Sequence, residues 1–465
     1  VTVGIDIGTT SVKALAVDPD GAVLARARVP HEVQSPTPGA FQHDIDRAWR
    51  DGVVEALATV AHGHRVLAVN VSAMVPSLGA VDDGGHGCSP GLLYGDHRGV
   101  TDTNRPEEPG DSGELLTFLH WLVEHAPDAA GYWPAQAVAN HALCGVGAID
   151  STTAMTAVPL FDFVGWDADR AVAAGAQVEA LPVVVPGVGA AGRVSDGLPA
   201  AGALVGGGTI DALGEQVVAG ADQPGDVLVI CGATLITWGV VAEAPPAPTD
   251  PATPTAGQGL WTVPHTAPGT ILVGGPSNAG GIFVDRVHSW LGVTPASELD
   301  DVDPDDLPTW LPYVRGERTP LHRRDLRAEL QGAALHHEVA HLRRAAYEAS
   351  AFVVRHHLEL AASAGLAPRR IVATGGGSRS APWMQALADV TGLPVDVVAV
   401  PEGAALGSAF MARCVAGLDA TMTDARRWAR TDRRVEPDPR WQEAVNQRYQ
   451  CFRDLTDAAL ERRST

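Results

Sequence analysis

Lysine is nearly missing from this chain: Lys13 stands alone among 33 Lys and Arg residues in 465. Basic residues form no block long enough to track a phosphate backbone, and the formal net charge is −22. Nucleic acid and anionic membrane are therefore not expected partners. A small anion is still admitted, because backbone N–H groups and one or two local cations suffice to hold one. Cysteines are few and odd in number (Cys88, Cys144, Cys231, Cys414, Cys451), with no C-x-x-C pair. That excludes a disulfide scaffold and fits a reducing compartment. No window reaches 18 uninterrupted apolar residues, and the chain opens on a strand-like run, not a charged segment followed by an apolar one. A cytoplasmic protein is expected.

Apolar residues at 45% and charged residues at 19% are ordinary for a globular protein, and the length predicts two or three domains with large cores. Val1–Ile7, Val12–Val17 and Ala22–Val29 read as strands, joined by Gly8-Thr9-Thr10 and by the turn Asp18-Pro19-Asp20-Gly21. Helical spacing over Asp46–Val60 and strands at Val66–Val71 and Gly79–Val81 complete an α/β pattern. A second strand-turn-strand, Asp226–Val241, carries Gly232-Ala233-Thr234 where the first carries Gly8-Thr9-Thr10, at an offset of 224 residues. This weak repeat predicts two similar lobes, of which only the first supplies an acid, Asp6 against Ile230. Glu243–Gly259 reads as a loop, Leu335–Ala364 as a long helix, Ile371–Ala373 as a strand and Ala381–Val390 as a helix. From Asp424 onward an Arg-rich tail, helical in parts, is expected.

The first turn has the chemistry of an anion nest: glycine permits close backbone approach, consecutive N–H groups converge, and Thr9 and Thr10 add hydroxyl donors. Lys13 follows it, a compact ammonium on a flexible stem that suits a shifting phosphate oxygen. Asp6 at the strand end could hold Mg²⁺ through water. An ordinary hairpin turn is the competing reading. Neither G-x-G-x-x-G nor G-x-x-x-x-G-K-[ST] spacing is present.

Asp6 to Lys13 resembles the first phosphate motif of the actin/Hsp70/sugar-kinase superfamily, and further segments resemble the FGGY carbohydrate kinases. Gly207-Gly208-Thr209-Ile210-Asp211-Ala212 is similar to that family's catalytic-aspartate segment, and Gly232-Ala233-Thr234 to its second phosphate loop. Tyr313-Val314-Arg315-Gly316-Glu317-Arg318-Thr319-Pro320 and Ala328 to Glu348 resemble two further signatures. Thr374-Gly375-Gly376-Gly377-Ser378-Arg379-Ser380 resembles the adenosine loop, and Pro401-Glu402-Gly403-Ala404-Ala405-Leu406-Gly407 the closing helix motif.

The resemblance implies two actin-like, ribonuclease H-like α/β lobes flanking a deep cleft: residues 1–220, residues 221–435, and a helical tail over 436–465. It implies an ATP- and Mg²⁺-dependent kinase of a small sugar or polyol, xylulokinase-like first, with a homodimer as one available assembly. Gly8, Thr9, Thr10, Lys13, Gly232, Ala233 and Thr234 would meet phosphates, Gly375, Gly376, Gly377 and Ser380 the adenosine side, and Asp6 the metal. Met74, Asp96, Arg98 and Asp211 would line the sugar site. Asp211 would accept the hydroxyl proton as the oxygen attacks; as a bare residue it reads first as the N-cap of a helix starting at Ala212. Asp96 and Arg98 read either as sugar ligands or as a surface ion pair, and His97 as structural.

Two departures leave the sugar open among ketoses, aldonates and polyols. Phe118 stands where the family usually carries Lys before Trp121, and Ala73-Met74-Val75-Pro76 lacks the histidine that xylulokinases place after the methionine. Loss of that imidazole removes a polar contact of the kind that discriminates between substrates. Two other functional classes compete: an inactive family member acting as a binding module, and a zinc peptidase. The second rests on a literal H-E-x-x-H, His337-Glu338-Val339-Ala340-His341, on the expected helix, with Glu359 as a third ligand. A solvated helix face explains the same residues.

Overall fold

Buried Val3, Ile5 and Ile7 alternate with Thr2, Gly4 and Asp6 along Thr2–Ile7, which forms an antiparallel hairpin with Ser11–Val17 that sets Asp6 opposite Lys13. The computed structural model describes residues 1–99, 114–242, 259–293 and 302–462; the loop expected at 243–259 lies almost wholly outside them. The chain forms two units, Val1–Val218 with Glu402–Trp428, and Ala219–Pro401 with Ala429–Thr465.

In the first unit the sheet runs Ala190–Arg193, Leu204–Gly206, Ala68–Ala73, Thr2–Ile7, Ser11–Val17, Val23–Pro30, with the short strand Thr209–Ile210 also on Ala68–Ala73. Thr2–Ile7, Leu204–Gly206 and Thr209–Ile210 all lie parallel to Ala68–Ala73. Strand parity puts Gly4, Asp6, Lys13 and Leu15 on one face and Val12 on the other. Val12 meets Gly52 at the start of the helix Gly52–Ala61, whereas Gly4 faces the helix Gly403–Val415. A Cβ on Gly4 would lie 1.8 Å from Ala405 O, so only glycine permits this approach. By chain order Glu402–Trp428 falls within the expected second lobe, but that close packing ties it to the first unit.

In the second unit Asp226–Cys231 and Leu235–Ala242 form the matching hairpin. Shifting Thr2–Ile7 and Ser11 by 224 residues lands on Asp226–Cys231 and Leu235, the bounds observed. The sheet runs Trp261–Pro264, Thr270–Ser277, Leu235–Ala242, Asp226–Cys231, Arg370–Thr374, Val395–Val398, Thr431–Val435. The long helix Val339–Ala361 and the helix Gln442–Glu461 build the core on Tyr347, Phe352, Tyr449 and Phe452. Buried charges there are paired: Glu348 takes Arg344 and Arg448, and Arg344 also reaches Asp389 at 2.7 Å.

Three expected elements differ. The helix expected from Leu335 begins at Val339, because Glu338 is extended and closes a capping box with His341. Asp46–Asp51 is a π-helical turn leading into Gly52–Ala61. The tail contributes a strand, Thr431–Val435, which pairs antiparallel with Val395–Val398.

Candidate functional site

Parallel strands end together at one edge of the first sheet, and chemistry gathers at such carboxyl ends. Asp6 sits level with Ser72, Ser72 level with Thr209, and Ile7 and Ile210 both level with Ala73. Met74 and Asp211 follow the last pairs directly, so Asp6, Met74 and Asp211 share that edge. Gln136 rivets it, its Nε2 donating to Ala73 O at 3.3 Å and to Thr209 O at 3.1 Å.

Asp6 is buried and accepts from the Ser72 hydroxyl at 3.3 Å; its other oxygen lies 3.4 Å from Lys13 Nζ. The Asp6 carboxylate, and after it Glu215 and Glu402, hold the Lys13 ammonium above its ordinary value against the opposing effect of burial. The lone lysine thus lies in the field of three acids of its own unit, Asp6 acting most strongly. Such a set holds a cation charged and ready for an anion, and offers oxygen ligands of the kind a hydrated divalent ion takes.

The Gly8–Thr10 turn is closed by Gly8 N donating to Ser11 O at 3.1 Å. Thr9 Oγ1 meets the Tyr94 hydroxyl at 2.9 Å, and Thr9 O meets His43 Nε2 at 2.8 Å. Thr10 O accepts from His31 N at 3.1 Å. Asp211 is the first residue of the helix Asp211–Ala219, where a helix starting at Ala212 is expected, and its Oδ1 accepts the adjacent Ala212 N–H at 2.7 Å. Glu215 lies one turn further along that helix.

Asp96 is buried, not a surface residue: it accepts from Phe41 N at 2.7 Å and pairs with the Arg98 guanidinium at 2.6 Å. Arg98 in turn lies over the Trp121 ring, 4.8 Å from its centre. Met74 is buried beside the strand end, and Phe118 packs into an apolar cluster with Leu115 and Leu122.

In the second unit, Gly232–Thr234 and Gly375–Ser380 follow the neighbouring parallel strands Asp226–Cys231 and Arg370–Thr374. Gly232 N donates to Thr234 O at 3.0 Å, two residues ahead, where Gly8 N reaches three residues ahead to Ser11 O. The carbonyls of Gly232 and Ala233 accept from Gly281 and Ile282, the first amides of the helix Gly281–Leu291. Gly375 takes φ +83°, and a Cβ there would lie 2.8 Å from Cys231 O. Gly376 is exposed, a Cβ on Gly377 would strike Trp383, and Ser380 caps the helix Ala381–Thr391 by accepting from Trp383 N.

The zinc-peptidase reading fails on geometry. His337 precedes the helix, so it and His341 do not share a helical face, and the His341 side chain is occupied by the Glu338 backbone N–H at 3.1 Å. Asp306, His336 and His337 do converge, but His337 Nδ1 accepts the Ala334 N–H at 3.0 Å. The ring hydrogen therefore sits on Nε2, facing Asp306, where a metal would need a lone pair. Glu359 instead accepts from the Tyr449 hydroxyl at 2.6 Å.

Ser72, Glu215, His43 and Trp49 are not among the expected residues, and Glu402 stands only within a helix motif. Glu215 had a signal in its i,i+4 spacing from Asp211; the others are brought in by tertiary pairing alone.

A model of the N-terminal domain of the FGGY family of carbohydrate kinases matches residues 1–99, and a model of its C-terminal domain matches 253–416. The chain is 30% identical to xylulose kinase of Streptomyces coelicolor, over 92% of this chain and 90% of that protein. It is 25% identical to the probable L-xylulose kinase of Pasteurella multocida, over 98% of each. The crystal structure of xylulose kinase from Rhodospirillum rubrum superposes with a TM-score of 0.74 at 27% identity, covering 98% of both chains.

Proposed function

Because the chain belongs to the FGGY family of carbohydrate kinases, we propose that it transfers the γ-phosphoryl group of ATP to a small ketose of the xylulose type, with Asp211 as general base. The fold is the actin-like α/β fold of these kinases, and the protein is an ATP-dependent carbohydrate kinase with a small-molecule sugar substrate. Among the described residues no helix is long and apolar enough to cross a membrane.

The observation that carries the proposal is the gathering of Asp6, Gly8–Thr10, Met74 and Asp211 at one sheet edge, beside the only lysine. The sugar hydroxyl oxygen attacks the γ-phosphorus, its proton passes to the Asp211 carboxylate, and the bridging oxygen leaves with ADP. Thr9, Thr10 and Lys13 steady phosphate oxygens. Asp6 suits Mg²⁺ held through water: its contact with Lys13 is 3.4 Å, longer than the roughly 2.7–2.9 Å of a closed charge-assisted pair. When bound, that ion supplies neutralisation of phosphate charge. Gly232, Ala233 and Thr234 are assigned to phosphates, and Gly375, Gly376, Gly377 and Ser380 to the adenosine end. Asp96 spends both oxygens on Phe41 and Arg98, so Arg98 is the sugar-facing member and Asp96 its orienter.

A second reading, a kinase of another sugar, an aldonate or a polyol, is favoured by Met74-Val75, which leaves out an imidazole from the expected pocket. ADP release measured over a panel of ketoses, aldonates and polyols separates the two readings, and no turnover on any member would refute both. Asp211→Asn should lower kcat by about 10²- to 10⁴-fold while nucleotide affinity holds; substantial residual turnover would remove Asp211 from its role.

A further inference from the structure

We infer that His43 is a positioning residue for phosphoryl transfer: it locks the Thr9–Thr10 peptide so that the Thr10 N–H faces the anion side of the turn. The inference rests on the proposed phosphate role of that turn and adds a residue outside the segments that carry the family resemblance.

The hydrogen on the imidazole is fixed by its neighbours. The Trp49 indole can only donate, and its Nε1 lies 3.0 Å from His43 Nδ1, so Nδ1 is the acceptor. The ring hydrogen is then on Nε2, which lies 2.8 Å from the Thr9 carbonyl oxygen, an atom that can only accept. Both His43 and Trp49 are completely buried, and burial pushes the imidazole down to about 4, so it stays neutral near pH 7. The His31 ring stands edge-on against His43, 4.5 Å between centres, and His31 N takes the Thr10 carbonyl.

A trans peptide is planar, with its C=O and N–H on opposite sides. Anchoring Thr9 O to His43 therefore turns the Thr10 N–H the other way, and Thr10 itself is exposed. Without the anchor, a flip of this one peptide would present a carbonyl oxygen to phosphate, replacing attraction by repulsion. The anchor thus fixes the sign of the local field where charge is handled.

The test compares wild type with His43→Phe, His43→Gln and Trp49→Phe, measuring kcat and KM for ATP and for the preferred sugar, with thermal unfolding alongside. His43→Phe keeps a ring but loses the donor, and should lower kcat/KM for ATP by about 10²-fold, the scale of losing one preorganised donor. The sugar KM should stay within about 3-fold. His43→Gln should restore most of the loss, since its amide can donate to Thr9 O. Trp49→Phe frees the tautomer and should fall in between. An active wild type whose His43→Phe form matches it in ATP kinetics overturns the inference and leaves the kinase reading intact. Equal losses in His43→Phe and His43→Gln, tracking lowered melting temperature, also overturn it. A wild type without ATP turnover on any sugar overturns both.

Discussion

Glu317 offers a perturbation whose size and sign follow from its surroundings. It is buried; its carboxylate accepts from Ser277 Oγ at 2.8 Å, Asn278 N at 3.0 Å and Arg318 N at 2.6 Å. Burial nonetheless dominates and raises it from 4.5 to about 7. Between those values the unfolded chain gives up its proton while the native carboxyl keeps it. The native state then binds more protons, so this contribution to stability is fully present below pH 4.5 and is lost as pH climbs to 7. From pH 5 to pH 8 the loss comes to about 2–3 kcal/mol, at about 1.4 kcal/mol per unit of displacement. Glu317→Gln cannot ionise, yet its amide oxygen can still accept from Asn278 and Arg318. The melting temperature of Glu317→Gln minus that of wild type should therefore rise by about 5–10 °C between pH 5 and pH 8. The difference matters because buried His43, His356 and His357, pushed down to about 4, 3 and 4, act with the opposite sign in both proteins and cancel. Melting curves that stay parallel across this range would show that Glu317 ionises without cost. The residue also has a functional reach: through Asn278 it sets the entry to the helix Gly281–Leu291, whose first amides hold the Gly232–Thr234 turn.

Gly4→Ala should destabilise the first unit by about 3 kcal/mol or more, because a Cβ 1.8 Å from Ala405 O and 2.3 Å from Ala409 N forces strand and helix apart. Gly165→Ala, with nothing within 4 Å of its Cβ, is the control, and equal melting temperatures for the two variants would refute the packing argument. Lys13→Ala should reduce kcat/KM for ATP by about 10²-fold with the sugar KM nearly unchanged, and Lys13→Arg should recover only part, since a planar fork replaces a compact ammonium beside Asp6. Unaltered ATP kinetics in Lys13→Ala would contradict the proposed phosphate role.

Both hairpins were legible in the sequence because their signals are local: apolar runs interrupted by a Gly/Thr turn, repeated at one offset. Asp6, Lys13 and the Gly375 turn were readable for the same reason. What escaped depends on partners far along the chain. Glu402 joins Lys13 only because the helix Gly403–Val415 packs on Gly4, and no periodicity encodes that. Ser72 meets Asp6 through strand register. The helix start at Val339 was misjudged because apolar spacing continues upstream, while the Glu338–His341 capping box, a side-chain event, stops it. Asp96 looked like a loop residue by composition, but Phe41 and Arg98 draw it into the interior.

The polypeptide passes between its two units three times, at Val218/Ala219, Pro401/Glu402 and Trp428/Ala429. During synthesis, the strand bearing Gly4 and Asp6 must therefore wait for nearly four hundred further residues before its covering helix leaves the ribosome. A nascent chain ending near residue 218 carries the sheet face of Gly4, Leu15 and Asn70 without the helix that packs on it. For the same reason no single cut yields two self-sufficient halves, and co-expressed fragments split at 218 should regain activity only when the longer piece returns its helix to the shorter.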